Sequence, residues 1–359
     1  MKIWILANYD IGLYQFRREL IESFLKDHDV TISLPYGSLV DLLVEKGCVF
    51  EDTPVDRRGI NPVIDLKLLL RYRKLLGKAK PDMVITYTVK PNIYGGMVCR
   101  MLKIPYAVNI TGLGTAFQAQ GFLRKSVTFM YKIALKRAKV VFFENSANRQ
   151  LFINEKIVRE ERTCLLNGAG VNVDRYAFSP LPETEPVHFL FVGRVMREKG
   201  IEELFAAMEQ LYRDGENCCL DILGIHEEDY SEDIQRGQSQ GWLHYHGHQK
   251  DVRPFIEKAH CFVLPSYHEG MANTNLECAS MGRPLITTDI PGCKEAVIAD
   301  VSGFLCQPKD DQSLYDAMKR FLRLSNTQRS EMGKAGRQHM EQTFEKNKVV
   351  AHTREALQV

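Results

Sequence analysis

Apolar positions along this chain fall into two alternating patterns. Short unbroken runs predict buried strands. Longer stretches, with apolar side chains recurring every three or four places, predict amphipathic helices. The alternation begins at once, with a strand over Lys2–Ala7, a loop carrying Gly12, a helix over Phe16–Asp27 and a strand over Val30–Leu34. It continues with a helix at Ser38–Lys46, a strand at Cys48–Glu51 and a helix at Asp65–Ala79. After a break at Pro81-Asp82 come a strand at Met83–Thr86, a helix at Ile93–Leu102 and a strand at Tyr106–Asn109. A long helix at Leu123–Ala138 and a strand at Val140–Phe143 complete the first series. Strands regularly separated by helices imply a parallel sheet covered on both faces.

The stretch Tyr176–Pro186 holds three prolines and several acidic residues and reads as a linker. The alternation then restarts. Strand His188–Val192 leads through the loop Gly193–Gly200 into helix Ile201–Tyr212, and strands follow at Cys219–Leu223 and Trp242–His246. Helix Arg253–Ala259 and strand Cys261–Leu264 precede the loop His268–Glu277, a short helix at Asn275–Gly282 and strand Leu285–Thr288. PGCKEAV and SGFLCQP complete the second sheet, and helices at Gln312–Leu324 and Thr327–Phe344 close it. The expected architecture is α/β, with two Rossmann-like doubly wound domains facing a cleft. Residues 1–178 form the first domain, 186–344 the second, and a C-terminal helix around 345–359 is able to pack back on the first.

The totals agree with two soluble domains: 359 residues, 45% hydrophobic and 26% charged. The net charge of +2 hides an asymmetry. Residues 1–180 carry 27 Lys and Arg against 17 Asp and Glu, whereas 181–359 carry 20 against 28. A basic front half points to an acidic partner. The nine cysteines include no CxxC and read as reduced core thiols of a cytosolic protein. The opening MKIWILANYD is too short an apolar run for a signal peptide, and no run is long enough to span a bilayer. No GxGxxG follows the first strand, so a dinucleotide site is not indicated.

Two loops carry candidate chemistry. HEGMANTNLE, at 268–277, joins a buried strand to a short helix, with Glu269 and Glu277 eight positions apart. Between them Gly270, Met271, Ala272, Asn273 and Thr274 are mostly small, so backbone amides and a helix N-terminus can approach a diphosphate. Thr274-x-x-Glu277 also has the form of a capping box, in which both side chains serve only the helix. GRVMREKG, at 193–200, follows another strand, and its Arg194 and Lys199 can neutralise phosphate oxygens or equally form a solvated turn.

In this order and spacing GRVMREKG, HEGMANTNLE and MGRPLITTDIPGCKEAV resemble the retaining glycosyltransferases of family 4, which have the GT-B fold. The resemblance covers nearly the whole chain. It implies that Gly193, Arg194 and Lys199 hold the nucleotide diphosphate, that Glu269 contacts the donor sugar near its reacting carbon and that Glu277 binds the ribose. It further implies that Gly270 to Thr274 meet the phosphates, although Met271, Ala272 and Asn273 replace the commoner Gly-Phe-Gly-Leu-Pro style. Glu269, Arg194 and Lys199 are the catalytic candidates. No resident cofactor or metal is expected, the nucleotide sugar being a co-substrate.

The front half, through TYTVKPNIYG, NITGLGTAF and NGAGVNVDRYAF, resembles bacterial enzymes that extend polyprenyl-diphosphate-linked sugars for capsule, O-antigen or glycoprotein glycans. A UDP-sugar donor and a lipid-diphosphate acceptor are therefore expected. Gly12, Lys90, Thr111, Gly112 and Gly114 are the acceptor-side candidates. The catalytic His of many relatives is absent at 111–114, and Asn172 stands where many carry Asp. The stretches Leu66–Lys80 and Gly121–Lys139 mix aliphatic with basic residues, as a helix lying on the inner face of an anionic cytoplasmic membrane would, or equally a core-facing helix with a solvated basic face; the basic front half favours the membrane. His244, His246 and His248 alternate, but no Asp, Glu or Cys completes a ligand set at suitable spacing, and Asp221 reads as structural. Nucleic-acid binding is not expected, since the basic segments lack an aromatic stacking pattern. A nucleotide-sugar epimerase of the same fold and a non-catalytic binding protein are the alternatives.

Overall fold

The computed structural model describes residues 1–56, 59, 61–114 and 121–359. It contains two compact units: Met1–Ala169 together with Asn347–Val359, and Gly170–Lys346.

The first unit is built on a seven-stranded parallel sheet in the order β3-β2-β1-β4-β5-β6-β7. Its strands are β1 (Lys2–Leu6), β2 (Asp29–Leu34), β3 (Val49–Asp52), β4 (Met83–Tyr87), β5 (Tyr106–Ile110), β6 (Val140–Phe143) and β7 (Thr163–Leu165). The central strands β4, β5 and β6 are buried along their whole length, which is why they read as unbroken apolar runs. One core joins helices α3 (Pro62–Ala79), α4 (Gly96–Leu102) and α5 (Phe122–Leu135) to the sheet through Tyr72, Val98 and Tyr131. The other core holds α1 (Asp10–Leu25) and α2 (Val40–Glu45) through Leu13, Phe24 and Leu43. α6 (Ser146–Asn154) follows β6. The last helix lies on α1's side, with Arg354 donating to Ser23 O and pairing with Asp27 at 2.6 Å.

The second unit has a six-stranded parallel sheet in the order β10-β9-β8-β11-β12-β13. These strands are β8 (Val187–Val192), β9 (Cys218–Leu223), β10 (Leu243–Tyr245), β11 (Cys261–Leu264), β12 (Leu285–Thr288) and β13 (Gly303–Cys306). The helices are α7 (Ile201–Arg213), α8 (Ser231–Gln240), α9 (Arg253–Lys258), α10 (Asn273–Ser280), α11 (Asp311–Leu322) and α12 (Asn326–His339). A π-helical turn, Met340–Phe344, leads to the closing helix α13 (Lys346–Leu357). The chain enters and leaves this unit side by side, Val171 N–H donating to Phe344 O and Lys346 N–H to Val171 O.

The boundary at Ala169 precedes the proline-bearing stretch that the sequence suggests as a linker. Residues 176–186 belong to the second unit because Arg283, fully buried, donates to Ser179 O and, at 3.0 Å, to Pro180 O, while the Ser280 hydroxyl donates to Tyr176 O. Other differences are local. α1 starts at Asp10, so Gly12 lies in its first turn and not in a loop. α8 has only Ile234 and Gly237 buried, too little apolar stripe to be recognised.

Candidate active site

Both sheets reverse direction at a central strand, β1 in one and β8 in the other. Next to such a strand the following loops part to opposite faces and leave a crevice outside the carboxyl ends. In the second unit the reversal lies between β8 and β11. The loops that leave these two strands are the ones that carry Arg194 and Lys199, and Glu269.

The loop after β8 tightens into a 3-10 turn, Arg197–Lys199, and Gly200 ends it at φ +72°. A Cβ at Gly200 would lie 2.1 Å from Pro265 O, so only glycine lets this loop close onto the one after β11. Further bonds hold the second loop: Tyr267 N–H donates to Glu198 O of the first loop at 2.9 Å, and the Tyr267 hydroxyl to Glu203 in the first turn of α7 at 2.6 Å. That closure delivers the Lys199 ammonium to the Glu269 carboxylate as a largely buried ion pair, and the Ser266 hydroxyl donates to the same Oε1 at 2.9 Å. Arg194 is more open and reaches Glu227 Oε2 at 3.1 Å.

α10 begins two residues earlier than its sequence suggests. Asn273 and Thr274 are its first two helical residues, the N-cap is Ala272, and no side chain caps it. Thr274 therefore cannot be the capping residue, and the capping-box reading fails. The amides of the first turn face out of the helix end. Met271 and Ala272 are buried and set the loop in the core, Ala272 N–H donating to Gly292 O at 2.7 Å. Gly292 sits at φ +89° with Glu269 O and Gly270 O each 2.7 Å from where a Cβ would be.

Glu277 lies one turn inside α10. Burial pushes its carboxyl up to about 7, against the opposing pull of a hydrogen bond from Tyr176 and the charges of Lys346 and Arg175. Tyr176 is fixed by its carbonyl, which accepts from Ser280 Oγ at 2.8 Å and Arg337 Nη1 at 2.9 Å. Ahead of it Asn172 Oδ1 accepts from the amides of Asp174 and Arg175 at 3.1 and 2.9 Å. An amide oxygen makes this turn as a carboxylate would, so the Asn for Asp exchange leaves the loop intact.

Two family models match this chain, "Glycosyl transferases group 1" over residues 172–339 and "Glycosyl transferase 4-like" over residues 2–145. The chain belongs to the group 1, 4-like glycosyltransferases. A similar curated relative is the N,N'-diacetylbacillosaminyl-diphospho-undecaprenol alpha-1,3-N-acetylgalactosaminyltransferase of Campylobacter jejuni, 26% identical, with 90% of this chain and 89% of the relative covered. Another is the UDP-Gal:alpha-D-GlcNAc-diphosphoundecaprenol alpha-1,3-galactosyltransferase of Escherichia coli, 28% identical over 79% of this chain and 77% of the relative. Among solved structures, Anabaena HepE in complex with UDP and glucose superposes with a TM-score of 0.82 at 15% identity, covering 100% and 99% of the two chains. The fold of this glycosyltransferase is GT-B.

The acceptor-side candidates of the glycosyltransferase gather at the strand ends of the first unit. Gly12 abuts the Tyr9 ring, 3.0 Å from a would-be Cβ, just beyond β1. Lys90, beyond β4, is engaged by Asp65 at 2.7 Å, and Tyr94 holds the other Asp65 oxygen at 2.9 Å. Thr111, Gly112 and Gly114 follow β5, and a Cβ on Gly114 (φ +69°) would lie 3.2 Å from the Val89 side chain. Residues 115–117, the rest of NITGLGTAF, lie outside the described residues. Sequence reasoning missed the buried Arg17–Glu144 ion pair at this end of the sheet, with Arg17 stacked 5.1 Å over Tyr87. The signal was an arginine within the buried stripe Leu13, Leu20, Ile21 and Phe24 of α1. Tyr176, the partner of Glu277, was also missed.

No Asp, Glu or Cys stands at ligand spacing along the histidine segment, but the adjacent strands bring an acid and a thiol onto the same sheet face. Asp221 and Cys219 of β9 and His188 of β8 share a sheet face with His244 and His246, because parallel register sets His188 beside Cys219 and Asp221 beside His244. Partners from adjacent strands are invisible to spacing within one segment. His248 lies past the end of β10 and is exposed.

Proposed function

We propose that this glycosyltransferase moves a sugar from a UDP-sugar to a saccharide linked to a lipid diphosphate, with retention of anomeric configuration and no metal at the diphosphate. The observation that carries this reading is the Lys199–Glu269 pair, held where the two strand-end loops meet and leading into the open end of α10. As the bond between the sugar C1 and the diphosphate oxygen breaks, negative charge grows on the leaving group. Lys199, Arg194 and the amides opening α10 oppose that charge. The acceptor hydroxyl forms its bond to C1 on the face the leaving group vacates, and its proton passes to the departing phosphate oxygen. Glu269 orients the sugar hydroxyls, and Glu277 with Tyr176 takes the ribose.

The acceptor class is supported by the two curated relatives, whose names both specify undecaprenyl-diphosphate sugars. UDP is supported by the name of the E. coli relative and by the HepE complex. A membrane-facing surface follows from the same reading. Leu123, Phe129, Lys125 and Lys132 are exposed on α5, and Val63, Leu66 and Leu70 stand among Lys67, Arg71 and Lys74 on α3. Apolar side chains amid cations suit the headgroup region of an anionic leaflet. Among the described residues no helix is long and apolar enough to cross a membrane.

The test is transfer from UDP-sugars to a synthetic lipid-diphosphate saccharide, with the anomer of the product read by NMR. Transfer with a retained anomer, unaffected by EDTA, is expected. An inverted product, or free isomerised sugar with no transfer, would overturn the reading.

A further inference from the structure

We propose that His188, Cys219 and Asp221 form a binding site for a divalent transition ion of the zinc class, separate from the site of sugar transfer. Their donor atoms, His188 Nδ1, Cys219 Sγ and an Asp221 carboxylate oxygen, lie within 4.8 Å of one another. His188 Nδ1 is 3.3 Å from the sulfur and 2.7 Å from Asp221 Oδ2. Tetrahedral zinc with bonds of about 2.0–2.3 Å needs donors about 3.4 Å apart, so on binding an ion the His–Asp contact opens by several tenths of an ångström and the sulfur and carboxylate settle at a similar spacing. The strands fix the spacing. His188 and Cys219 face each other in register on β8 and β9, and Asp221 is two residues further along on the same face.

The donor set suits the ion. A thiolate and a carboxylate supply the two negative charges that match a divalent cation, and a neutral imidazole adds the nitrogen common in such sites. On binding, the thiol gives its proton to solvent and the sulfur takes the metal. The second Asp221 oxygen accepts from His246 Nε2 at 2.7 Å, an outer partner that holds the carboxylate in place. His188 is 30% exposed, which leaves room for water as a fourth ligand.

The site lies away from the chemistry. His188 is near the start of β8 and Arg194 beyond its end, six residues or roughly 20 Å along an extended strand. The ion would clasp β8 to β9, next to the sheet edge at β10, and take no part in diphosphate departure.

The experiment uses the full chain without an affinity tag, stripped with chelator and titrated with Co2+ alone, then with Zn2+ in competition. Neither donor nor acceptor is present, so the result is independent of the proposed transfer reaction. The expected result is one Co2+ per chain, with a sulfur-to-cobalt charge-transfer band in the near ultraviolet that Zn2+ abolishes. Cys219→Ser should remove that band while sparing transfer activity, and His246→Ala should weaken binding about tenfold or more. Zn2+ should raise the melting temperature of the wild type and not of His188→Gln. A cobalt spectrum without the sulfur band, or one unchanged in folded Cys219→Ser, would overturn the site, as would failure to bind.

Discussion

A carboxyl that titrates near pH 7 at the proposed ribose position would make donor affinity depend on pH in a calculable way. Glu277 ordinarily titrates near 4.5 and is pushed up to about 7 by burial in α10, with Tyr176, Lys346 and Arg175 as its polar and charged neighbours. Ribose hydroxyls donate, so the group must be ionised to accept both. The diphosphate of an intact nucleotide sugar does not titrate between about pH 5 and pH 8, which leaves the protein as the source of any change there. If binding requires the anion, the apparent dissociation constant rises about tenfold between pH 8 and pH 6, and about half a proton is released per UDP-glucose bound at pH 7. Calorimetry in buffers of different ionisation enthalpy reads that proton directly. Glu277→Gln should flatten the profile and bind about tenfold to a hundredfold more weakly at pH 8, because two charge-assisted hydrogen bonds become neutral ones. A wild-type affinity that does not change with pH, or a slope that survives in the variant, would refute this role for Glu277. The same shift acts on folding. The folded chain holds this proton more tightly than the unfolded one, so the group's contribution is most favourable below about pH 4.5 and is lost as pH rises through about 7. The span is worth on the order of 3 kcal/mol.

Further outcomes follow from the same geometry. Lys199→Ala should lower kcat by about a hundredfold to a thousandfold, the loss typical of one preorganised charge stabiliser, with circular dichroism unchanged. Normal turnover would remove Lys199 from the mechanism. Gly200→Ala forces a side chain onto Pro265 O at positive φ, and should lower stability by about 2 kcal/mol or more and reduce donor binding, as read by chemical unfolding and calorimetry. Arg283→Met leaves the buried carbonyls of Glu257, Ala259 and Pro180 without their donor and should cost about 3 kcal/mol or more in urea unfolding. Phe129→Asp with Leu123→Asp should abolish co-sedimentation with phosphatidylglycerol vesicles while transfer to a short-chain soluble acceptor persists. Equal binding to neutral and anionic vesicles would argue against the charged face.

Much of the fold was legible because a doubly covered parallel sheet writes itself as unbroken apolar runs, such as VVFF in β6 and CFVL in β11. The elements that escaped were those with little burial. α8 buries two residues, and β7 is three residues long with none buried. The two candidate loops were legible for a related reason, since glycines and charges follow directly on such runs. Pairings across strands were not, because register is a property of the sheet and not of any segment. The acid and thiol beside His188 and His246 are the clearest instance. So is Arg17, whose partner Glu144 lies 127 residues away in sequence.

The two sheets share the strand order of a central strand flanked by its two successors on one side and the later strands on the other, yet their switch points are furnished differently. In the second unit the loops at that point carry two cations, Arg194 paired with Glu227 and Lys199 with Glu269, and Arg194 is the open one of the two. A diphosphate can compete for such cations, since it offers more oxygens and more charge than one carboxylate. In the first unit, among the described residues, Arg17 and Lys90 near the corresponding point are each held by a carboxylate. Arg17 is sealed against Glu144, and Lys90 is divided from solvent by Asp65 and Tyr94. Among the described residues, the strand-end loops of that unit offer the glycines Gly112 and Gly114. On the proposed function that unit would take the hydroxyl-rich saccharide of the acceptor, whose diphosphate would find its cations on the outer faces of α3 and α5. If that division holds, Lys125→Glu with Lys132→Glu should raise KM for a lipid-diphosphate acceptor by about tenfold while leaving KM for the nucleotide sugar unchanged. A rise in both would place donor recognition in the first unit as well and end the assignment of one substrate to each sheet.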